Sequence, residues 1–165
     1  MEVILVRHAV AHERNRARWP NDALRPLTAA GREKFRSAAR GLARWLPKSA
    51  VILTSPYVRA RDTAVLLSKA ARRRKPIECS ELAGSAAALE AFDLLRARKE
   101  KTVVLVGHEP NLGEFLSAAL GGKSAGLSVE FKKGGAACVE FTKKIEPGQA
   151  TLRWMLPPRV LRALR

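Results

Sequence analysis

The chain is short of several things, and each shortage removes a class of explanation. It holds two cysteines, Cys79 and Cys138, in 165 residues. That is too few for a disulfide scaffold, and no CxxC spacing offers a zinc site, so a reducing cytoplasmic setting is expected. No apolar run approaches the roughly 18 residues from which a membrane-spanning helix is read. After Met1 and Glu2, four apolar residues lead straight to Arg7, which is not the pattern of a secretory leader. Aromatic residues make up only 5%. With so few, a basic stripe interleaved with stacking platforms for nucleic acid is not expected.

Acidic residues are also scarce, at 15 against 31 lysines and arginines, for a net charge of +16. Such an excess raises nucleic acid, anionic membrane and polyanionic substrates as partners. The basic residues are spread along the chain, with no basic tail. Their densest run, Arg72-Arg73-Arg74-Lys75, stands directly before Pro76. It reads as a solvated helix end whose cations complement the helix dipole, with a specific anion patch as the alternative. Apolar residues at 47% and charged residues at 28% are the balance of a globular protein, and the length favours one domain over residues 1–165.

Apolar patterning predicts strands over 3–6, 51–53 and 102–106, then two late strands over Ala136–Phe141 and 151–155. The first three are continuously apolar, as in parallel strands covered on both faces. Between them, Phe35, Ala38, Ala39, Leu42 and Leu46 keep helical spacing, with Thr28 as N-cap. Further helices are predicted over 59–73, 86–98 and 111–120, and a turn over 132–135. Alternating strands and helices predict a single-domain α/β sandwich of three layers, with a mostly parallel central sheet and helices on both faces.

The chemistry lies just past the strands. Arg7-His8 follows the first, Thr54-Ser55-Pro56 and then Arg59 follow the second, and Gly107-His108 follows the third. Ligands of open α/β sheets bind beyond the carboxyl ends of the strands. Two arginines and two of the three histidines are thus aimed at one edge, where an anion with several oxygens, such as a phosphoryl group, is the natural guest. His12 lies four residues after His8, but His8 leaves a strand and not a helix, so a metal pair is not expected. The GxSxG pattern over residues 122–126 lacks the strand before it and the helix after it that a nucleophile elbow needs. The same Gly-Lys-Ser fails as a phosphate loop because Ser117 stands where the earlier glycine is required.

Val6-Arg7-His8-Ala9, Ser55-Pro56-Tyr57-Val58-Arg59-Ala60 and Val106-Gly107-His108-Glu109 together resemble the histidine phosphatase superfamily, which includes phosphoglycerate mutase. Residues 25–31, 107–112 and 152–158 are similar to its small SixA-type phosphohistidine phosphatases. The resemblance covers essentially the whole chain. It implies a phosphoglycerate mutase-like fold and a phosphohistidine enzyme intermediate. His8 matches the nucleophile, Arg7 and Arg59 match the arginines that grip the phosphoryl oxygens, and His108 matches the second histidine of the pocket. Arg25 is a further candidate for phosphate binding, against a plain surface arginine. Glu81 is the positional counterpart of the general acid of larger relatives, against a loop carboxylate. Two departures stand out: Ala9 where glycine is usual, and Asp62 where glutamine is common.

The resulting expectation is a cytoplasmic, metal-independent hydrolase with no cofactor, acting on phosphohistidine in a protein. It has no membrane partner and no dedicated nucleic-acid partner, and a monomer is the default state. One alternative is a phosphatase for a small phosphate ester, for which Glu81 would be essential. Another, of a different class, is a basic module binding nucleic acid or polyphosphate.

Overall fold

A computed structural model describes residues 1–122 and 126–164. Six strands form one sheet: β1 (Glu2–Arg7), β2 (Val51–Thr54), β3 (Ile77–Glu78), β4 (Thr102–Gly107), β5 (Ala136–Phe141) and β6 (Ala150–Leu156). Their spatial order is β3-β2-β4-β1-β5-β6. β1, β2, β3 and β4 pair in parallel, and β5 and β6 close the sheet as an antiparallel hairpin on β1.

Burial explains the continuous apolar runs. Val3 and Leu5 face one layer of helices, and Ile4 and Val6 face the other. Five helices cover the two faces: α1 (Ala29–Ala43), α2 (Val58–Ala71), α3 (Glu90–Arg96), α4 (Asn111–Gly121) and α5 (Pro158–Ala163). Phe35, Leu42, Leu67 and Leu161 from α1, α2 and α5 fill one core. Phe92, Leu95, Phe115 and Leu116 from α3 and α4 fill the other. None of the helices among the described residues is long and apolar enough to cross a membrane.

The helix ends show why the predicted limits shift. Thr28 caps α1 as expected, its hydroxyl accepting from the Gly31 amide at 2.9 Å. Leu46 is buried, but in the turn after α1. α3 starts at Glu90 and not at residue 86, because the Glu90 carboxylate reaches back to the Ala87 amide at 3.0 Å and Leu89 is left exposed. α2 ends at Ala71, and Arg72 turns into the left-handed region at φ 52°. Arg73 then folds back and donates to the carbonyls of Leu46 and Ala71. Within the basic run, this arginine therefore serves the helix end.

Three elements carry no signal long enough to read in the sequence: two-residue β3, six-residue α5, and the 3-10 turn Asp22–Leu24. α5 docks on α1 so closely that a Cβ on Gly41 would stand 2.0 Å from the Leu161 carbonyl oxygen. Only glycine permits that approach. The serine and lysine of the GxSxG pattern lie outside the described residues.

Candidate active site

β1 and β4 run side by side in register, so their ends deliver Arg7-His8 and His108 to one place. The His8 amide donates to the Gly107 carbonyl at 3.0 Å, and the Ser55 amide after β2 donates to the Val106 carbonyl at 3.0 Å. Gly134, at φ 80°, turns its amide onto the Arg7 and His8 carbonyls. Arg59 comes from the first turn of α2. The expected four residues, Arg7, His8, Arg59 and His108, line one cavity of about 360 Å³ together with Arg25. Its rim includes the exposed Glu13, Arg14 and Lys133.

His8 Nδ1 lies 2.7 Å from the Ala9 carbonyl oxygen. A carbonyl only accepts, so Nδ1 carries the proton and Nε2 keeps its lone pair. Burial lowers the His8 pKa to about 3; Arg59, Arg7 and Arg25 push the same way, and the Ala9 carbonyl opposes them. The ring is therefore neutral at physiological pH, as a nucleophile must be. The His108 ring is centred 5.2 Å from that of His8. Its Nε2 contacts Ser55 Oγ at 2.8 Å, and its buried Nδ1 has no partner among the described residues. Burial, chiefly, lowers its pKa to about 3 as well.

The guanidinium groups are held, those of Arg59 and Arg25 buried and that of Arg7 half-buried. Arg59 donates to the Asp22 carbonyl at 2.8 Å and pairs with the Asp22 carboxylate at 3.1 Å. Arg25 is likewise buried; it pairs with Asp22 at 2.7 Å and donates to the His12 carbonyl at 2.6 Å. Arg7 donates to the Phe131 carbonyl, and its Nε has no partner among the described residues. Burial lowers the Arg7 and Arg59 pKa values from an ordinary value far above neutrality. The cavity thus presents three cationic forks and a neutral imidazole nitrogen to a tetrahedral anion.

Glu81 takes a different place. It sits in a second 3-10 turn, Ser80–Leu82, and accepts from the Ser80 hydroxyl at 3.1 Å. It lines a narrow cleft behind His108 and is not among the residues lining the arginine cavity. Besides the exposed Glu13, the carboxyl that lines it is the half-buried Glu109, directly after His108. Glu109 Oε1 is buried with no partner among the described residues, and burial raises the carboxyl pKa to about 7.

Sequence reasoning passed over Asp22 and Glu109 as functional residues. Adjacency to His108 was a signal for Glu109; a lone aspartate in a loop gave none for Asp22. The two departures also find their places. The buried Ala9 donates its amide to Thr63 Oγ1 at 3.0 Å, and Asp62 pairs with Arg32 at 2.6 Å, linking α2 to α1. His12 packs near Trp19 at 6.0 Å between rings. Among the described residues no three His, Cys, Asp or Glu side chains are grouped to hold a metal ion.

Comparison with known proteins identifies the family and the fold. The model of the histidine phosphatase superfamily (branch 1) matches residues 3–84. An uncharacterised protein of Picosynechococcus sp. is 36% identical over 138 residues, covering 82% of each chain. The crystal structure of a candidate phosphohistidine phosphatase SixA from Agrobacterium tumefaciens is 27% identical, with a TM-score of 0.75 over 95% of this chain and 97% of that one. The protein histidine phosphatase SixA complexed with tungstate shares the fold at 24% identity, with a TM-score of 0.81 over 98% and 99% of the two chains. A family match that begins at β1 and a fold match over nearly the whole length put the chain in the histidine phosphatase superfamily, as a phosphatase that works through a histidine nucleophile.

Proposed function

We propose that this phosphatase removes the phosphoryl group from phosphohistidine in a protein, with His8 as the nucleophile. The observation that carries the reading is the placement of His8: neutral, with its Nε2 lone pair unprotonated, in a cavity lined by Arg7, Arg25 and Arg59. In the first step the Nε2 lone pair attacks phosphorus and the bond from phosphorus to the substrate imidazole breaks. That imidazole, already protonated from water on its other ring nitrogen, takes the bonding pair and leaves as a neutral ring. In the second step a water oxygen attacks phosphorus, the bond to His8 breaks, and phosphate leaves with a proton passing to solvent. The transfer asks for positioning and charge stabilisation more than for covalent help. Each charged hydrogen bond to a phosphoryl oxygen supplies about 1.5–3 kcal/mol.

The substrate class follows from leaving-group chemistry. A protonated imidazole departs without help from a placed acid, which suits a site whose Glu81 lies outside the cavity. The short segment after Glu81 packs back against Tyr57 and His108 near Gly84 and builds no lid. The rim stays open to a side chain on a protein surface. One observation favours a second reading, hydrolysis of a small phosphate ester: Glu109 is half-buried, reaches the cavity and keeps its proton up to about pH 7.

The test is to quench turnover of labelled phosphohistidine protein with base, which preserves phosphohistidine, and map the label. Label on His8 and no turnover in His8→Ala is the expected result; label on His12 or His108 overturns it. Chelation should leave the rate unchanged. Rapid hydrolysis of alkyl phosphates with none of phosphohistidine would replace the substrate class.

A further inference from the structure

A groove of about 860 Å³ adjoins the catalytic cavity and shares Arg7 and Lys133 with it. Its floor is apolar, formed by Met155, Pro157 and Pro158 where β6 passes into α5. Lys133, Arg159 and Arg162 stand around it and make no ion pair or side-chain hydrogen bond among the described residues. The neighbouring Lys132 is already paired with Glu130. The groove is preformed, because Leu161 is fully buried and holds α5 against α1.

We propose that this groove docks an acidic segment of the phosphorylated protein while its phosphohistidine enters the adjoining cavity. Carboxylates of the segment lie on Lys133, Arg159 and Arg162, and an apolar side chain rests on Met155 and the two prolines. The proposal rests on the reading that the substrate is a protein. Three unpaired cations beside an anion-binding site are complementary to a negatively charged surface. A second copy of this chain is a poor occupant, since each copy carries +16. Nucleic acid is a poor one too: the groove's aromatic residue, Phe131, is 1% exposed and offers no face for a base to stack on.

The experiment has a binding arm and a turnover arm. Fluorescence anisotropy follows a labelled Glu-rich peptide with a central leucine and no phosphate, titrated with wild type and with Arg159→Glu/Arg162→Glu. Affinity should fall at least about ten-fold in the variant, and wild-type binding should weaken steeply with salt. A Lys-rich peptide of the same length should bind the variant better than wild type, a gain that a misfolded variant would not show. In turnover, the variant should match wild type on free phosphohistidine and lose about ten-fold in kcat/KM on a phosphohistidine peptide with acidic flanks. Equal affinity of the two proteins for the Glu-rich peptide overturns the groove. So does a single-stranded oligonucleotide of equal charge that outcompetes the peptide on wild type. Absence of any phosphohistidine turnover overturns the proposed function alone, and the titration still decides the groove.

Discussion

The Asp22 carboxylate stands 3.1 Å from the Arg59 guanidinium, so it occupies donors that a phosphoryl oxygen would use. The same carboxylate holds Arg25 at 2.7 Å. It keeps both forks oriented in the absence of substrate and competes with the incoming anion. Asp22→Asn preserves the shape and one acceptor oxygen but removes the competing charge. Inorganic phosphate should bind this variant about two- to five-fold more tightly, the span expected of a partly exposed ion pair. Calorimetric titration measures it; weaker binding would mean that orientation outweighs competition.

This pair also marks where the sequence stops being legible. Strands β1, β2 and β4 were readable because both their faces are buried, which forces unbroken apolar runs such as Val103–Val106. The residues after them were readable because parallel strands deliver their ends to one edge. β3 was not, since its two residues, Ile77 and Glu78, are both exposed at the sheet's edge. Asp22 was not either. It meets Arg59 across 37 positions of chain, through a loop whose path is set by tertiary packing and not by local pattern. Glu109 was in plain view, but its raised pKa comes from burial, against the opposing pull of Arg7, which no spacing rule reports.

Arg59 and Arg61 sit two residues apart on α2 and should differ sharply. Arg59 is buried and lines the cavity, whereas Arg61 is exposed and pairs with Glu78 at 4.0 Å. Loss of one charged phosphoryl contact costs about 1.5–3 kcal/mol, so Arg59→Ala should lower kcat/KM by about ten-fold to a few-hundred-fold. Arg61→Ala should change it less than about two-fold, as exposed pairs do. Steady-state kinetics on one substrate checks both, and Arg59→Lys guards against a packing effect. Similar losses at the two positions would place Arg59 outside the phosphate grip.

The buried histidines should make the fold acid-sensitive. Folded His8 and His108 have pKa values of about 3 against an ordinary 6.5, so the unfolded chain binds protons first as pH falls. Their neutral forms contribute stability that is fully present above about 6.5 and is lost as pH drops towards 3. Asp22, held below its ordinary value first by the Arg25 hydrogen bond, adds a loss of the same sign at lower pH. Glu109 works in the opposite sense: its raised pKa favours the fold below about 4.5 and costs stability as pH rises through 7. Tm should therefore fall between pH 6.5 and pH 4, and the slope should be shallower in His8→Asn. Parallel slopes in a calorimetric series would show that His8 is not buried as a neutral base.

The decisive contrast between the two substrate readings is Glu109 against Glu81. An ester oxygen leaves as a basic alkoxide and needs a proton from a placed acid, which is worth roughly 10²–10⁴-fold. Glu109 lines the cavity and is protonated below about pH 7; Glu81 lies in the cleft behind His108. Any hydrolysis of alkyl phosphates should accordingly decline above about pH 7, where Glu109 gives up its proton. Glu109→Gln should lower that rate about a hundred-fold or more and abolish the alkaline decline, while Glu81→Gln should leave both nearly intact. On phosphohistidine, whose imidazole is protonated without help, each variant should lose less than about ten-fold, below the general-acid range. Glutamine retains the size of Glu109 and an oxygen for the Gly113 amide, so a change in the pH profile reports the lost proton and not a lost shape. An unaltered alkaline limb in Glu109→Gln would remove Glu109 as the acid. A hundred-fold loss on phosphohistidine in the same variant would show that the site was built for a poor leaving group, and the ester would take first place as substrate.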